Sequence, residues 1–148
     1  MICIFCEFVK GRRKWSREGY PFIAIHNTKD TISFLATDFP AHEDWHILVI
    51  PKNHFESIEK IPKKILHELI EHATLASKIT RKYHKGCNIL INNGRVAGQS
   101  INHIHLHVIP RDFNDGIRVE SWKYKKLSLY KFIKLSEKIK NNFSLKQN

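Results

Sequence analysis

The 148-residue sequence contains only three cysteines, Cys3, Cys6 and Cys87, and no long apolar run. Such a small, odd number of cysteines argues against a disulfide framework and favours a reducing compartment. No stretch approaches the roughly 20 apolar residues that a membrane span requires. The opening MICIFCEFVKGRRKW has too short an apolar run, and charges on the wrong side of it, for an export signal. We therefore expect a cytoplasmic protein that does not associate with membranes.

Glycine and proline are also scarce, with six and five residues spread along the chain. This scarcity excludes collagen-like and low-complexity architectures. The apolar content of 42% and charged content of 26% are typical of a globular protein. A chain of this length fits one domain with one core.

Acidic residues are outnumbered by basic ones, 14 to 25, which gives a formal net charge of +11. The resulting positive field attracts nucleotides, polyphosphates or nucleic acid. Part of the excess of basic residues lies in residues 116–148. There the basic residues alternate with apolar ones at helical spacing, which favours a solvated, lysine-rich helix face. The aromatic residues among these lysines could stack on bases or pack across a dimer interface, and we favour the interface.

Hydrophobic periodicity predicts a β-β-β-α-β-β-α order. Alternating, β-branched and aromatic segments predict strands at residues 20–27, 31–37, 46–51, 87–92 and 103–110. Apolar residues at steps of three and four predict helices at residues 61–83 and 127–143. This order predicts an α+β fold with a largely antiparallel sheet.

The stretch GQSINHIHLHVIP places His103, His105 and His107 at alternate positions. On a strand they would share one face, held out as a row about 6–7 Å apart, while the apolar residues between them pack in the core. Three interpretations compete: a metal site, a nucleophile with aligned helpers, or three surface histidines. We favour the nucleophile, because the preceding NNGRVAGQS offers Asn92, Gln99 and Ser100 as phosphate partners.

Three segments carry a resemblance to the histidine triad (HIT) family. AGQSINHIHLHVIPR at residues 97–111 resembles the family signature, DFPAHEDWHILVIPKNH at residues 38–54 is similar to its second landmark, and CIFCEFVKG is a familiar opening. The resemblance implies a HIT-like fold with about five strands, one main helix and a C-terminal helix. It implies a single HIT domain over residues 1–148, of which 1–111 match the core and 112–148 form a basic extension.

The resemblance also implies roles for individual residues. His105 would attack the α-phosphate of a nucleotide, forming a covalent nucleotidyl-histidine that water cleaves, and His107 would bind phosphate oxygens. Further contacts are implied for Gln99, Ser100 and Asn92 at the phosphates, Asp38 at the ribose, and Phe34 and Phe39 near the base. The segment at residues 12–27 is longer and more basic than the family stretch, which leaves the contacts on that side open. His46 is expected to be a structural hydrogen-bonding residue.

The expected substrate is a purine nucleotide derivative. The third triad position is a histidine, His107, as in the hydrolase branch of the family. The ending VIPR resembles that of dinucleoside polyphosphate hydrolases, which cleave substrates such as diadenosine tetraphosphate. The alternatives are a nucleoside phosphoramidase, an aprataxin-like enzyme that removes adenylate from DNA, and a non-enzymatic nucleotide-binding protein. The resemblance also implies a homodimer.

Cys3 and Cys6 form a CxxC pair, which supplies half of the ligands of a tetrahedral zinc site. Buried reduced cysteines and a redox pair are the other interpretations. The resemblance implies that His54 and His103 complete a structural zinc site, which would tie the N-terminus to the histidine segment.

Overall fold

The computed structural model describes residues 2–37, 45–119 and 126–144. The chain divides after residue 117 into two compact units. The first unit contains α1 (Ile4–Val9), β1 (His26–Asn27), β2 (Thr31–Leu35), β3 (Ile47–Pro51), α2 (Lys63–Thr80), β4 (Gly86–Ile91) and β5 (Leu106–Arg111). The second unit contains α3 (Leu129–Ser144). Single turns of 3-10 helix lie at Ile58–Lys60 and Arg95–Ala97.

The five strands form one sheet in the order β1-β2-β3-β5-β4, and every neighbouring pair is antiparallel. The predicted α+β fold is confirmed. Strand β5 lies between β3 and β4, where Leu48 of β3 faces His107 and Val49 faces Leu106. Because directly paired residues project to the same side of a sheet, His107 shares a face with Leu48.

Apolar side chains cover both faces of the sheet. One cluster joins β3 and β5 to α2, with Ile47, Val49, Leu106 and Val108 against Leu69, Ala73 and Ala76. These three α2 residues follow the spacing of three and four that predicted the helix. The other cluster contains Phe5 of α1 with Ile32, Phe34, Ala36, Leu48 and Ile50. The sheet therefore lies between α2 on one side and α1, with the side chain of His107, on the other.

Two strand predictions are wrong in part. Of residues 20–27 only His26–Asn27 forms a strand, because Pro21 instead makes an isolated bridge with Trp15. The histidine strand begins only at Leu106, since the amide of Ile104 donates to the carbonyl of Phe55 at 2.7 Å rather than to a neighbouring strand. His103 and His105 thus lie in the irregular segment before β5.

Helix α1 is an element that the periodicity did not predict. Its six residues are too few to display an apolar stripe. Across the described ranges, no helix combines the length and the apolar composition that crossing a bilayer would demand.

Candidate active site

The protein encloses the three histidines. The prediction that they are held out from one strand as a row is therefore wrong. His103 is fully buried and His105 is 4% exposed. The ring of Phe5, on α1, contacts both edge to face, with centroids at 5.7 Å from His103 and 5.5 Å from His105. Helix α1 therefore covers one side of His103 and His105.

His105 has a defined tautomer because of its local backbone. Its Nδ1 lies 2.7 Å from the carbonyl oxygen of His103, to which only a protonated ring nitrogen can donate. The lone pair of the neutral ring is therefore on Nε2, the nitrogen available for nucleophilic attack. The ring centroids of His105 and His107 lie 4.8 Å apart.

His107 is half-buried and is supported by a fourth histidine. Its Nδ1 lies 2.9 Å from Nε2 of His46, and the two rings stack with centroids 5.1 Å apart. The expectation that His46 is a structural hydrogen-bonding residue is confirmed. Desolvation, followed by the charges of His105 and His46, lowers the pKa of His107 to about 4, so that the ring is neutral near pH 7.

The other ring nitrogen of His107, Nε2, is buried and has no hydrogen-bond partner in the part of the chain that the structure describes. A buried polar nitrogen without a partner is unusual and costs free energy. It belongs to a side chain on the wall of a cavity, and a ligand in that cavity could supply the missing partner.

This first cavity has a volume of about 360 Å³. His105, His107 and Ser100 line its polar side, and Ser16, Arg17, Glu18 and Thr37 line its rim. Its apolar side consists of Ile4, Phe5, Phe22, Phe34, Leu48 and Ile101. A cavity with an aromatic wall and a cluster of imidazoles suits a ligand with a flat apolar part and an anionic part.

Phe34, predicted to lie near the base of a nucleotide, lies in the wall of this cavity. It is 1% exposed and packs edge to face against Phe5, Phe8 and Phe22. The predicted ribose and base residues Asp38 and Phe39 lie outside the described residues.

The three predicted phosphate partners have different environments. Ser100 is exposed and lines the cavity. Gln99 is buried, and its amide is engaged within the protein: Oε1 accepts from the amide of Gly94 at 2.7 Å and Nε2 donates to the carbonyl of Glu56 at 2.9 Å. Asn92 donates to the carbonyl of Gly98 at 3.4 Å. Gln99 thereby fixes the loop that carries Ser100.

A second cavity of about 510 Å³ adjoins the first. Both cavities are lined by Ile4, Arg17, Ser100 and Ile101. The remaining walls of the second cavity come from Ile2, Cys3, His54, Glu56, Arg95, Gln99 and Asn102. Ser100 and Arg17 therefore lie where the two cavities meet, and His105 lines the first of them.

The four predicted metal ligands, Cys3, Cys6, His54 and His103, lie together. Their donor atoms are all within 4.8 Å of one another. Nδ1 of His103 is 3.4 Å from Sγ of Cys3 and 3.6 Å from Sγ of Cys6, and Nδ1 of His54 is 3.4 Å from Sγ of Cys6. These separations match the edge of about 3.6 Å expected between sulfur and nitrogen ligands around a tetrahedral ion. The cluster could hold a metal ion.

Neighbouring groups determine which donor atoms of the cluster carry protons. Nε2 of His103 lies 2.9 Å from the carbonyl of Pro51, so that Nε2 carries the proton and the lone pair of Nδ1 faces the thiols. Burial, followed by the hydrogen bond and charge of Cys3, raises the pKa of Cys6 to about 11. The Cys6 thiol therefore favours its protonated form, and a bound divalent cation would reverse that preference.

Two features of the site were not predicted from the sequence. Phe5 and Arg17 belong to segments without recognised chemistry, the middle of the CxxC pair and the basic stretch at residues 12–27. No local signal assigns Phe5 to the histidines, because residues one or two positions from a helical cysteine do not share its face.

Comparison with known proteins gives consistent results. The HIT domain family model matches residues 23–114. The chain is 32% identical to an adenosine 5'-monophosphoramidase of Candida albicans, over 96% of this chain and 91% of that protein. It is structurally similar to a histidine triad nucleotide-binding protein from Candida albicans, with a TM-score of 0.79, 30% identity and coverage of 97% and 98% of the two chains. It is also similar to a zinc-bound histidine triad family protein from Mycobacterium smegmatis, with a TM-score of 0.67, 29% identity and coverage of 82% and 84%. The chain belongs to the histidine triad family.

Proposed function

We propose that this protein is a nucleotide hydrolase that breaks the bond between the α-phosphate of a purine nucleotide and a leaving group, with His105 as nucleophile. The observation that carries the proposal is the buried, unpartnered Nε2 of His107 on the wall of the cavity that also contains His105. An unsatisfied buried polar group costs about 1–3 kcal/mol. A phosphate oxygen that accepts from this nitrogen removes the penalty and lies beside His105.

The reaction proceeds in two displacements. Nε2 of His105 attacks the α-phosphorus and forms a P–N bond, while the bond to the leaving group breaks and the leaving group keeps the electron pair. Water then attacks the same phosphorus, the P–N bond breaks, and the electron pair returns to Nε2. An amine leaving group takes a proton from solvent as its bond breaks, whereas a phosphate leaving group departs as the anion. The product is a nucleoside monophosphate, and the proton lost by water in the second step passes to solvent.

The remaining residues of the site position the phosphate. When His46 donates to Nδ1 of His107, Nε2 of His107 carries a proton and donates to a phosphate oxygen. The Ser100 hydroxyl reaches the phosphate and the departing group, and Gln99 fixes the loop that carries Ser100. Asn92 also contacts the phosphates. The base binds near Phe34 and Phe39, and Asp38 contacts the ribose.

We propose that Cys3, Cys6, His54 and His103 hold a structural zinc ion. Two thiolates and two imidazoles are a donor set that zinc favours, and four protein ligands leave no coordination position for substrate. The ion supplies stability rather than Lewis-acid chemistry. The four residues tie α1 to the histidine segment and thereby hold Phe5 over His105.

The proposed substrate is a dinucleoside polyphosphate such as diadenosine tetraphosphate. A phosphoramidate is the alternative, supported by the relative in Candida albicans that is named adenosine 5'-monophosphoramidase. The net charge of +11 also supports an adenylated DNA end as a third substrate. We further propose that the protein acts as a cytoplasmic homodimer.

A substrate panel on the wild type and the H105N variant tests this function. Wild type is expected to release nucleoside monophosphate from diadenosine tetraphosphate, adenosine phosphoramidate or an adenylated oligonucleotide. H105N should lose at least about a thousandfold in kcat, because the nucleophile is absent. The control is H67N, since His67 is an exposed α2 residue paired with Glu71. An H105N variant that retains wild-type turnover, or a wild type inactive on all three substrates, would overturn the proposal.

A further inference from the structure

The loop that carries Arg17 has a fixed backbone. Ser16 and Tyr20 are joined by a backbone hydrogen bond of 2.8 Å, and the amide of Phe22 donates to the carbonyl of Lys14 at 2.9 Å. The buried hydroxyl of Ser16 accepts from the amides of Glu18 and Tyr20, both at 3.2 Å. Arg17 therefore lies at the tip of a small braced hairpin at the rim of the first cavity.

Arg17 is placed differently from the other arginines of this basic segment. Arg12 pairs with Glu7 at 3.4 Å, and Nε of Arg13 donates to the carbonyl of Trp15 at 2.8 Å. The guanidinium of Arg17 has no hydrogen bond or ion pair with any residue in the described ranges, and it lines both cavities. Its charge and its five donors are available to a ligand.

A second arginine, Arg95, also lines the second cavity. It begins the 3-10 turn Arg95–Ala97, which lies in the loop that Gln99 fixes through the amide of Gly94. Its guanidinium likewise makes no hydrogen bond within the described part of the chain. Two arginines on separate, braced loops thus face one space beside Ser100.

The acidic residues near these arginines are already engaged. Glu56, in the wall of the second cavity, accepts from Lys60 at 2.7 Å and from Asn102 at 3.0 Å, and these contacts lower its pKa. Glu18, in the wall of the first cavity, has a lowered pKa because of hydrogen bonds from its own backbone, Ser16 and Thr37, with a smaller contribution from the charge of Arg17. Glu56 in the wall of the second cavity is already paired with Lys60, so the positive charge of Arg95, and that of Arg17 beyond its weak interaction with Glu18, remains available there.

We propose that the second cavity is the leaving-group site and that Arg17 and Arg95 bind the phosphates of a polyphosphate leaving group. The inference rests on the proposed function, because it assigns the first cavity to the nucleotide that His105 attacks. Arginine forks suit phosphate oxygens, and a volume of about 510 Å³ is that of a small-molecule site. An amine leaving group gains nothing from these contacts, so the two arginines favour dinucleoside polyphosphates over phosphoramidates.

The test compares R17Q and R95Q with wild type on two substrates at constant ionic strength. For diadenosine tetraphosphate, kcat/KM should fall at least about tenfold in R17Q, as expected for loss of a charge-assisted contact. For adenosine phosphoramidate the fall in R17Q should be several times smaller, though not absent, because Arg17 also lines the first cavity. R95Q, whose side chain lines only the second of the two cavities, should lose at least about tenfold in kcat/KM on diadenosine tetraphosphate and change by less than about twofold on adenosine phosphoramidate. R12Q, whose side chain pairs with Glu7 and lines neither cavity, should resemble wild type on both substrates.

A binding measurement separates this inference from the proposed function. Inorganic tripolyphosphate should bind to H105N protein by calorimetry, with an affinity at least about tenfold weaker after R17Q is added. Equal losses on both substrates, or unchanged tripolyphosphate binding in R17Q, would overturn the leaving-group assignment while leaving the function of His105 intact. A wild type that cleaves neither substrate yet binds tripolyphosphate through Arg17 would overturn the function alone.

Discussion

His72 and His107 are two imidazoles that their surroundings keep neutral. His72 lies under β2, where Nδ1 contacts the Thr31 hydroxyl at 2.7 Å and Nε2 contacts the Ser33 hydroxyl at 3.0 Å. Desolvation, followed by the charge of His26, lowers the pKa of His72 to about 4. His107 has a similarly lowered pKa but retains an unpartnered nitrogen. At the scale of single residues, the two imidazoles therefore differ in their pairing: both ring nitrogens of His72 have partners, whereas Nε2 of His107 is left for the proposed phosphate.

The pKa of His72 predicts a pH dependence of stability. Because its folded pKa of about 4 lies below its ordinary value of 6.5, the unfolded chain binds the extra proton first as the pH falls. The free energy of unfolding therefore decreases from about pH 6.5 towards pH 4, by up to about 1.4 kcal/mol per pH unit for this group. Urea denaturation of wild type and H72Q between pH 4.5 and 7 measures the effect.

The H72Q variant keeps hydrogen-bonding atoms at this position but cannot titrate. The stability advantage of wild type over H72Q should be largest near pH 7 and shrink as the pH falls. A difference in the free energy of unfolding that is constant across this range would contradict the assignment. H67Q is the matched control, because His67 is exposed on the same helix.

At the scale of elements, α1 connects the cluster of Cys3, Cys6, His54 and His103 to the first cavity. Cys3 precedes the helix and Cys6 lies within it, while Phe5 between them is 2% exposed and packs on His103 and His105. A helix of six residues has little stability of its own. Its position therefore depends on the packing of Phe5 and on whatever the two cysteines bind.

Loss of the metal ligands should destabilise α1. We expect one zinc ion per chain in the wild type and a much lower content in C6S, with a fall in Tm of about 10 °C, which corresponds to about 3 kcal/mol for a domain of this size. Metal analysis and thermal denaturation measure both quantities. C87S is the control, because Cys87 lies on β4 beside Ser77, away from the cluster. Unchanged zinc content and Tm in C6S would contradict the metal site.

The elements differ in how well the sequence predicted them. Helix α2 and strands β2 and β3 follow their apolar patterns, because their apolar residues pack in the two core clusters, and β4 adds the partly buried Cys87 and Ile91 to one of them. Helix α1 was missed, since it is defined by tertiary contacts that no local period records. The segment at residues 20–25 has strand composition, but its partner is the turn at Trp15 rather than a sheet neighbour.

The residues of the candidate site also divide into those that the sequence predicted and those that it did not. The motif residues His105 and His107 and all four predicted metal ligands come together in the structure. The alternation of the histidines predicted one regular strand. Strand β5 begins only at Leu106, because the amide of Ile104 donates to the carbonyl of Phe55 instead of to a neighbouring strand. Arg17 could not be assigned from its sequence, because its position depends on the hydroxyl of a buried serine one residue earlier.

At the scale of the whole molecule, the chain combines the proposed nucleophile His105 with a large positive net charge. The net charge of +11 attracts anionic substrates over distances comparable to the Debye length, about 8 Å at physiological salt. Two adjoining cavities share Ser100 and Arg17, with His105 on the wall of the first. The chain thus combines long-range attraction of phosphates with a local arrangement suited to transferring one of them.

The most direct test of the central claim is identification of the covalent intermediate. Wild-type protein is mixed with diadenosine tetraphosphate or adenosine phosphoramidate, quenched within the first turnover under conditions that preserve P–N bonds, digested and analysed by mass spectrometry. The account predicts an adenylyl group on His105, absent from H105N and retained in the H67N control. An adenylyl group on a different residue, or rapid turnover with no protein-bound nucleotide at any quench time, would contradict it.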